Sequence, residues 1–297
     1  MPAHLPPLAP ACLDHPATAR MPSPGPGNAP ITASLRAQGM SPIGIGCARI
    51  GSISSAGGLD EARAMLAMAA ASGITLFDTA GIYGGGTSEQ VVGAQARHDS
   101  GIFVMTKIGR RHSAIGRLAH SIKRWTRPMM GTHARSVVRA VRQNNIQLDF
   151  SPLALDLAVQ AAQRRLGGAR INALLLHSPP AETLARPATL RALESFKVHG
   201  KADWVGVSCD DLESLRIAAN APAMDVVQIP LSLYRQASDD ELIPRFIEQD
   251  TAIVLRGVLG ERGRPPPREA VEAAGALPGV SSVIVGVSSL AHLHELL

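Results

Sequence analysis

Four side chains of complementary chemistry follow one another through the first two thirds of the chain: Asp78, Tyr83, Lys107 and His177. Asp78, Lys107 and His177 each lie at the end of a short apolar run, and Tyr83 follows Asp78 by five residues. A charged group at the end of a buried run is costly unless it is paired, and a carboxylate opposite an ammonium meets that need. An ammonium beside a phenol stabilises the phenolate, which suits Tyr83 to give a proton to a carbonyl oxygen. A neutral imidazole at His177 can donate a hydrogen bond that orients and polarises the same carbonyl. Tyr83 is one of only two tyrosines, with Tyr234 the other, so its place in this set carries weight. Singly, an Asp–Lys pair or a buried histidine has ordinary structural uses. Together, four such types in this order point to chemistry.

These residues need a scaffold that brings run ends together. Eight apolar runs rich in Ile, Val and Leu occupy 43–50, 74–79, 102–108, 171–177, 204–208, 226–231, 252–258 and 282–287. Continuous runs of this length are what strands buried on both faces require. Helical patterns fill most of the gaps, over 60–71, 88–97, 153–166, 189–199, 210–220 and 239–249. Ser88-Glu89 and Asp210 read as helix starts, and Gly73, Gly167-Gly168 and Gly200 as helix stops. Strands alternating with helices give an α/β protein with a parallel sheet, and eight of them close into a (β/α)8 TIM barrel, typically ~250 residues long. An open doubly wound sheet is the alternative. The turn after the first run, G-I-G-C-A-R-I-G, lacks the G-x-G-x-x-G spacing that such a sheet uses for dinucleotides. In a barrel, residues at the C-terminal strand ends share one mouth, which also receives Ser208, Cys209, Gln228 and Arg256.

Composition agrees with a core-forming chain of 297 residues, 45% apolar and 18% charged. Aromatics are only 3%, so the core is aliphatic. Cys12, Cys47 and Cys209 are too few and too scattered for a disulfide framework or a metal site. They fit a reducing compartment, and with no secretory or membrane-spanning segment in view the expected location is cytoplasmic. The proline-dense segment 1–39 reads as a disordered tail, and 40–297 as the barrel. A long insertion at about 110–150, after the third strand, departs from the usual short connection. No Asp or Glu occurs from Gly101 to Leu148, whereas nine basic residues lie between Arg110 and Arg142. The rest of the chain is mildly acidic, which argues against a nucleic-acid partner. Within the insertion Ile115, Leu118, Ile122 and Trp125 recur at helical spacing. A surface helix covering the barrel mouth, or a partly disordered loop, is the favoured reading, ahead of a weak contact with a membrane surface or an acidic partner.

The segment F-D-T-A-G-I-Y-G-G-G-T-S-E-Q-V-V-G, residues 77–93, resembles the aldo-keto reductase family segment that carries the catalytic Asp and Tyr. M-T-K-I-G places the family lysine at Lys107, and L-L-L-H-S-P the histidine at His177. K-A-D-W-V-G-V-S, D-V-V-Q-I-P and S-S-V-I-V-G-V-S-S resemble the fifth, sixth and eighth strands. The likeness implies a barrel that binds NADP(H), with NAD(H) less usual, and passes hydride between the nicotinamide and a small-molecule carbonyl. It implies cofactor contacts at Ser208, Cys209, Gln228 and Arg256, and at Gly286, Ser288, Ser289 and His292 toward the adenosine phosphate. Cys209 stands where the family usually has Asn, and Arg256 where an aromatic residue often stacks on the nicotinamide. The implied function is an NAD(P)H-dependent oxidoreductase that reduces an aldehyde or ketone to an alcohol, or the reverse, with Tyr83 as proton donor. A barrel that binds nicotinamide nucleotide as a low-activity sensor or interaction module is the alternative. A Schiff-base lyase using Lys107 ranks third, because it leaves Asp78 and Tyr83 unused.

Overall fold

The protein is seen in a computed structural model that describes residues 30–51, 58–112, 146–222, 224–260, 265–287 and 289–296. Eight parallel strands form a closed barrel: β1 (Ile43–Gly46), β2 (Leu76–Asp78), β3 (Phe103–Ile108), β4 (Ala173–His177), β5 (Trp204–Ser208), β6 (Val226–Pro230), β7 (Ala252–Arg256) and β8 (Val280–Gly286). Neighbours pair in chain order, and β8 returns to β1 with Gly46 opposite Gly286. The helices around it are α1 (Ile31–Ala37), α2 (Leu59–Ala71), α3 (Thr87–His98), α4 (Pro152–Leu166), α5 (Ala181–Leu184), α6 (Pro187–Val198), α7 (Leu212–Asn220), α8 (Leu231–Asp239), α9 (Leu242–Glu248), α10 (Pro267–Gly275) and α11 (Leu290–His294). The barrel expected from the eight runs is therefore the fold. Among the described residues no helix is long and apolar enough to cross a membrane.

Alternation along each strand divides the core into two clusters. Leu76, Phe103, Met105, Leu175, Val226, Val254 and Ile284 fill the inside of the barrel. The intervening positions, among them Phe77, Val104, Leu174, Val207, Val227 and Leu255, face the helices in a larger aliphatic layer. A barrel interior is thus packed rather than hollow, and the polar inward side chains lie near the C-terminal ends of the strands.

Several elements differ from the sequence reading. Residues 31–39 belong to the fold and not to a tail, because α1 closes the lower end of the barrel. Leu35 and Met40 join the interior cluster, and Gln38 Oε1 accepts from Trp204 Nε1 at 2.9 Å. The helix expected at 239–249 is shorter, α9 over Leu242–Glu248, and α8, which precedes it, was not among the expected helices. Glu241 between them takes φ 57°, and Pro244 fits only the first turn of α9, where an amide hydrogen is not needed. The residue that caps α7 is Asp211, whose side chain accepts from Ser214 N, and not Asp210. Ser88 and Glu89 do not cap α3. They are fully buried anchors: Ser88 Oγ meets Thr79 Oγ1 at 2.7 Å and donates to Cys47 O at 2.9 Å.

Glu89 accepts from Thr106 Oγ1 at 2.7 Å and from Arg165 Nε, which reaches in from α4. The Arg165 side chain packs beneath the loop that carries Tyr83. At Gly86, φ is +95° and a Cβ would fall 2.4 Å from Arg165 Cδ, so only glycine lets the loop lie this close. The insertion enters and leaves through an antiparallel ribbon of Arg110–His112 paired with Ile146–Leu148. Residues 1–29 of the expected tail and the amphipathic pattern from Ile115 to Trp125 lie outside the described residues. Removing the arginine would leave a buried carboxylate with only Thr106 as partner. Arg165→Ala is therefore expected to lower the free energy of unfolding by about 3 kcal/mol, read from the urea midpoint, and an unshifted midpoint would show that the pair contributes nothing net.

Candidate active site

The last inward positions of β2 to β5 and of β7 are Asp78, Lys107, His177, Ser208 and Arg256, and Gln228 is the inward position of β6 that lies opposite Ser208. The two-residue period of a strand puts them on the same side as the interior cluster, one layer above it. Lys107 Nζ donates to Asp78 Oδ1 at 2.5 Å and to the Thr79 carbonyl at 3.3 Å, and both charged side chains are buried. The same ammonium lies 5.2 Å from the centroid of the Tyr83 ring. His177 stands edge-on to that ring, with centroids 5.8 Å apart and planes at 89°. The four residues singled out from the sequence therefore meet at one point of the mouth.

Tyr83 reaches this point on a tight turn. Gly84, Gly85 and Gly86 have φ of 58°, 67° and 95°, which the L residues found elsewhere in the chain would resist. The electrostatics divide the group into charged and neutral members. Burial disfavours the Lys107 ammonium, but Asp78 and the Tyr83 hydroxyl outweigh it and hold the lysine above its ordinary pKa. Burial, followed by the charges of Lys107, Arg110 and Arg256, holds His177 well below the usual histidine range, so its ring is neutral. The result is a phenol flanked by a fixed cation and a neutral hydrogen-bonding ring. That arrangement can give a proton to an oxygen placed between the two rings and stabilise the phenolate left behind.

Beside these groups the mouth holds further polar side chains. His177, Ser208 and Gln228 sit opposite one another on β4, β5 and β6. Gln228 is fully buried, yet neither Nε2 nor Oε1 has a hydrogen-bond partner among the described residues, and the same holds for His177 Nδ1. Buried amides without partners are rare and call for an explanation. A primary carboxamide offers the complementary donor and acceptor, so the residues present fit a nicotinamide. Gly286 is exposed at the end of β8, and a Cβ there would meet nothing within 4 Å, which leaves open space on that side. Ser289 caps α11, its side chain accepting from His292 N, and His292 is exposed on that helix. Ser288 lies outside the described residues.

Cys209 is placed differently from the expectation. One residue beyond β5, it keeps the parity of Val205 and Val207, and its side chain is fully buried in the aliphatic layer facing the helices. Its backbone takes part instead, with N donating to Gln228 O at 2.9 Å and O accepting from Arg256 Nη2 at 3.4 Å. Arg256 also pairs with Asp210, which faces Arg110 Nη2 at 3.4 Å. Partial burial works against the Asp210 charge, but Arg256, a hydrogen bond from Ser178 and Arg110 together keep its carboxyl below the ordinary value. Asp210 and Arg110 were not legible as site residues, because one resembled a helix cap and the other was the first of nine charges in the insertion.

A profile of the Aldo/keto reductase family matches residues 42–265. The chain is 29% identical over 223 residues to a D-threo-aldose 1-dehydrogenase of a Pseudomonas species, a match covering 73% of this chain and 65% of that relative. It is 25% identical over 242 residues to a pyridoxal 4-dehydrogenase of Microbacterium luteolum, covering 76% and 69% of the two chains. In fold it is similar to an aldo-keto reductase of Bacillus halodurans solved in its holo form, with a TM-score of 0.67 at 20% identity over 86% and 85% of the chains. An aldo/keto reductase of Klebsiella pneumoniae solved with NADP and acetate gives 0.61 at 18% identity over 86% and 84%. Closed barrel, strand-end residues and profile agree in assigning the chain to the aldo/keto reductase family of oxidoreductases.

Proposed function

We propose that the protein interconverts a small aldehyde or ketone and its alcohol, with NADP(H) as the preferred nicotinamide cofactor and Tyr83 as the proton donor. The observation that carries this reading is the contact set around Lys107: Nζ bonded to Asp78 and 5.2 Å from the Tyr83 ring, with His177 edge-on beside it. Gln228 and Ser208 would hold the carboxamide of the cofactor, which satisfies the two amide atoms of Gln228 that are otherwise unpaired. A nicotinamide held by these two residues would be the source or acceptor of hydride in the interconversion.

The chain's own residues do the rest. His177, neutral, donates a hydrogen bond to the carbonyl oxygen and draws electron density from the carbon. Tyr83 passes its hydroxyl proton to that oxygen as it becomes an alcohol. Lys107 balances the phenolate, and Asp78 keeps the ammonium from swinging away. Water reprotonates the phenolate at the open mouth. The two dehydrogenase relatives act, by their names, on an aldose and on pyridoxal, which favours polar, hydroxylated carbonyl compounds as substrates here. The structure of the Klebsiella relative with NADP supports the choice of cofactor.

Two outcomes follow. With NADPH and 4-nitrobenzaldehyde, Tyr83→Phe should lower kcat by about 10²–10⁴-fold, the range of general acid–base catalysis, while NADPH fluorescence titration shows unchanged affinity. Unaltered turnover would refute the proton-donor role. Gln228→Leu should weaken NADPH binding by about tenfold, the equivalent of one or two lost hydrogen bonds, and equal affinity in the two proteins would remove Gln228 from the cofactor site.

A further inference from the structure

The root of the insertion reaches further into the site than a surface excursion needs to. Gly109 turns the chain out of β3 with φ of +98°, and a Cβ there would lie 2.0 Å from Phe150 Cε1. Asp149 N then donates to Gly109 O at 2.9 Å, and the ribbon pairs Arg110 with Leu148 and His112 with Ile146. Two side chains of this ribbon contact the segments that carry the reactive rings. Arg110 Nε donates to the carbonyl of His177 at 2.8 Å, and Nη2 to the carbonyl of Ser178 at 3.3 Å. His112 Nε2 lies 2.9 Å from the carbonyl of Ile82, the residue before Tyr83. A carbonyl only accepts, so that nitrogen carries the hydrogen.

We propose that Arg110 is a positioning residue for carbonyl reduction: through the backbone of His177, and with His112 holding the Tyr83 side, the ribbon fixes the separation of the imidazole and the phenol that must meet on one substrate oxygen. The inference rests on the proposed function for its reaction and on the hydrogen bonds above for its geometry.

An arginine on an ordinary surface ribbon would need only a nearby carboxylate. Arg110 has one in Asp210, yet it spends Nε and part of Nη2 on two consecutive carbonyls at the end of β4. Ser178, between those carbonyls, takes φ 48°, a conformation uncommon for a residue other than glycine and one that its surroundings must hold. Asp210 in turn ties Arg110 to Arg256 on β7, so the fork is braced from both sides. A planar guanidinium can bridge two carbonyls in fixed directions, whereas an ammonium is a single point of charge.

The charges that face His177 come from every side of the mouth. Lys107 lies on β3, paired with Asp78 on β2. Arg110 lies on the ribbon and Arg256 on β7, with Asp210 between them, and the Tyr83 ring stands at the edge of the imidazole. Three cations beside a buried ring favour its neutral form, so loss of one should let it take a proton more readily.

The test uses the full chain with NADPH and 4-nitrobenzaldehyde, and follows the His177 imidazole by NMR, its signals assigned by their absence in His177→Asn. Arg110→Ala should lower kcat at least about tenfold, the scale of a small misplacement, without a matching loss of NADPH affinity, and the imidazole should titrate at higher pH. Arg110→Lys should return the titration toward the wild-type value and leave kcat low, which separates the fork from the charge. Wild-type kcat in either variant, or an equal loss of NADPH affinity, would overturn the proposal. If Arg110→Ala does not fold, the kcat of Arg110→Lys decides alone. A wild-type protein that turns over no aldehyde would instead sink the carbonyl-reducing reading, and the imidazole titration would still decide whether Arg110 acts on His177.

Discussion

The site is organised around one ion pair, Lys107 with Asp78, buried at the top of the barrel. Two charges removed from water repay the cost of burial only when the geometry is close and the remaining protons find acceptors. Here the carboxylate and the Thr79 carbonyl supply them. The pair fixes an ammonium at one coordinate of the mouth, and other groups take their character from it: Tyr83 faces a cation, and His177 is kept neutral in part by the same charge. A slip of one residue in β2 or β3 would turn Asp78 or Lys107 into the aliphatic layer. Register and chemistry are therefore set together.

The packed interior explains why the candidate site lies at the strand ends. Below the mouth, large aliphatic and aromatic side chains from alternate strands fill the barrel, and α1 closes the far end with Leu35. A ligand can approach from one direction only. Gln228 and His177 stand on either side of Ser208 on adjacent strands, and Gln228 Nε2 and Oε1 and His177 Nδ1 are buried without a hydrogen-bond partner among the described residues.

Much of this was legible in the sequence. Continuous Ile-Val-Leu runs mark strands buried on both faces, and the residue types at their ends identified Asp78, Lys107 and His177. What was hidden depended on which way a side chain points. Asp210 and Asp211 look alike beside α7, yet only Asp211 caps it, and Asp210 is left to bridge two arginines. Cys209 adjoins Ser208, but adjacency in a strand means opposite faces. Ser88 and Glu89 have the composition of a helix start and serve as buried anchors, because Thr79, Thr106 and Arg165 reach them from distant segments. Arg110 and His112 were concealed by the charge of the insertion, and α1 by the prolines that precede it.

The paired strands at the root of the insertion carry a consequence for how such a barrel diversifies. His112 and Ile146 are neighbours across the ribbon, so the chain departs and returns at a single junction. The entropy of closing whatever lies between falls on that junction and grows only slowly with length. The same junction joins the insertion to the segments that carry the imidazole and the phenol, through Arg110 on the carbonyl of His177 and His112 on that of Ile82.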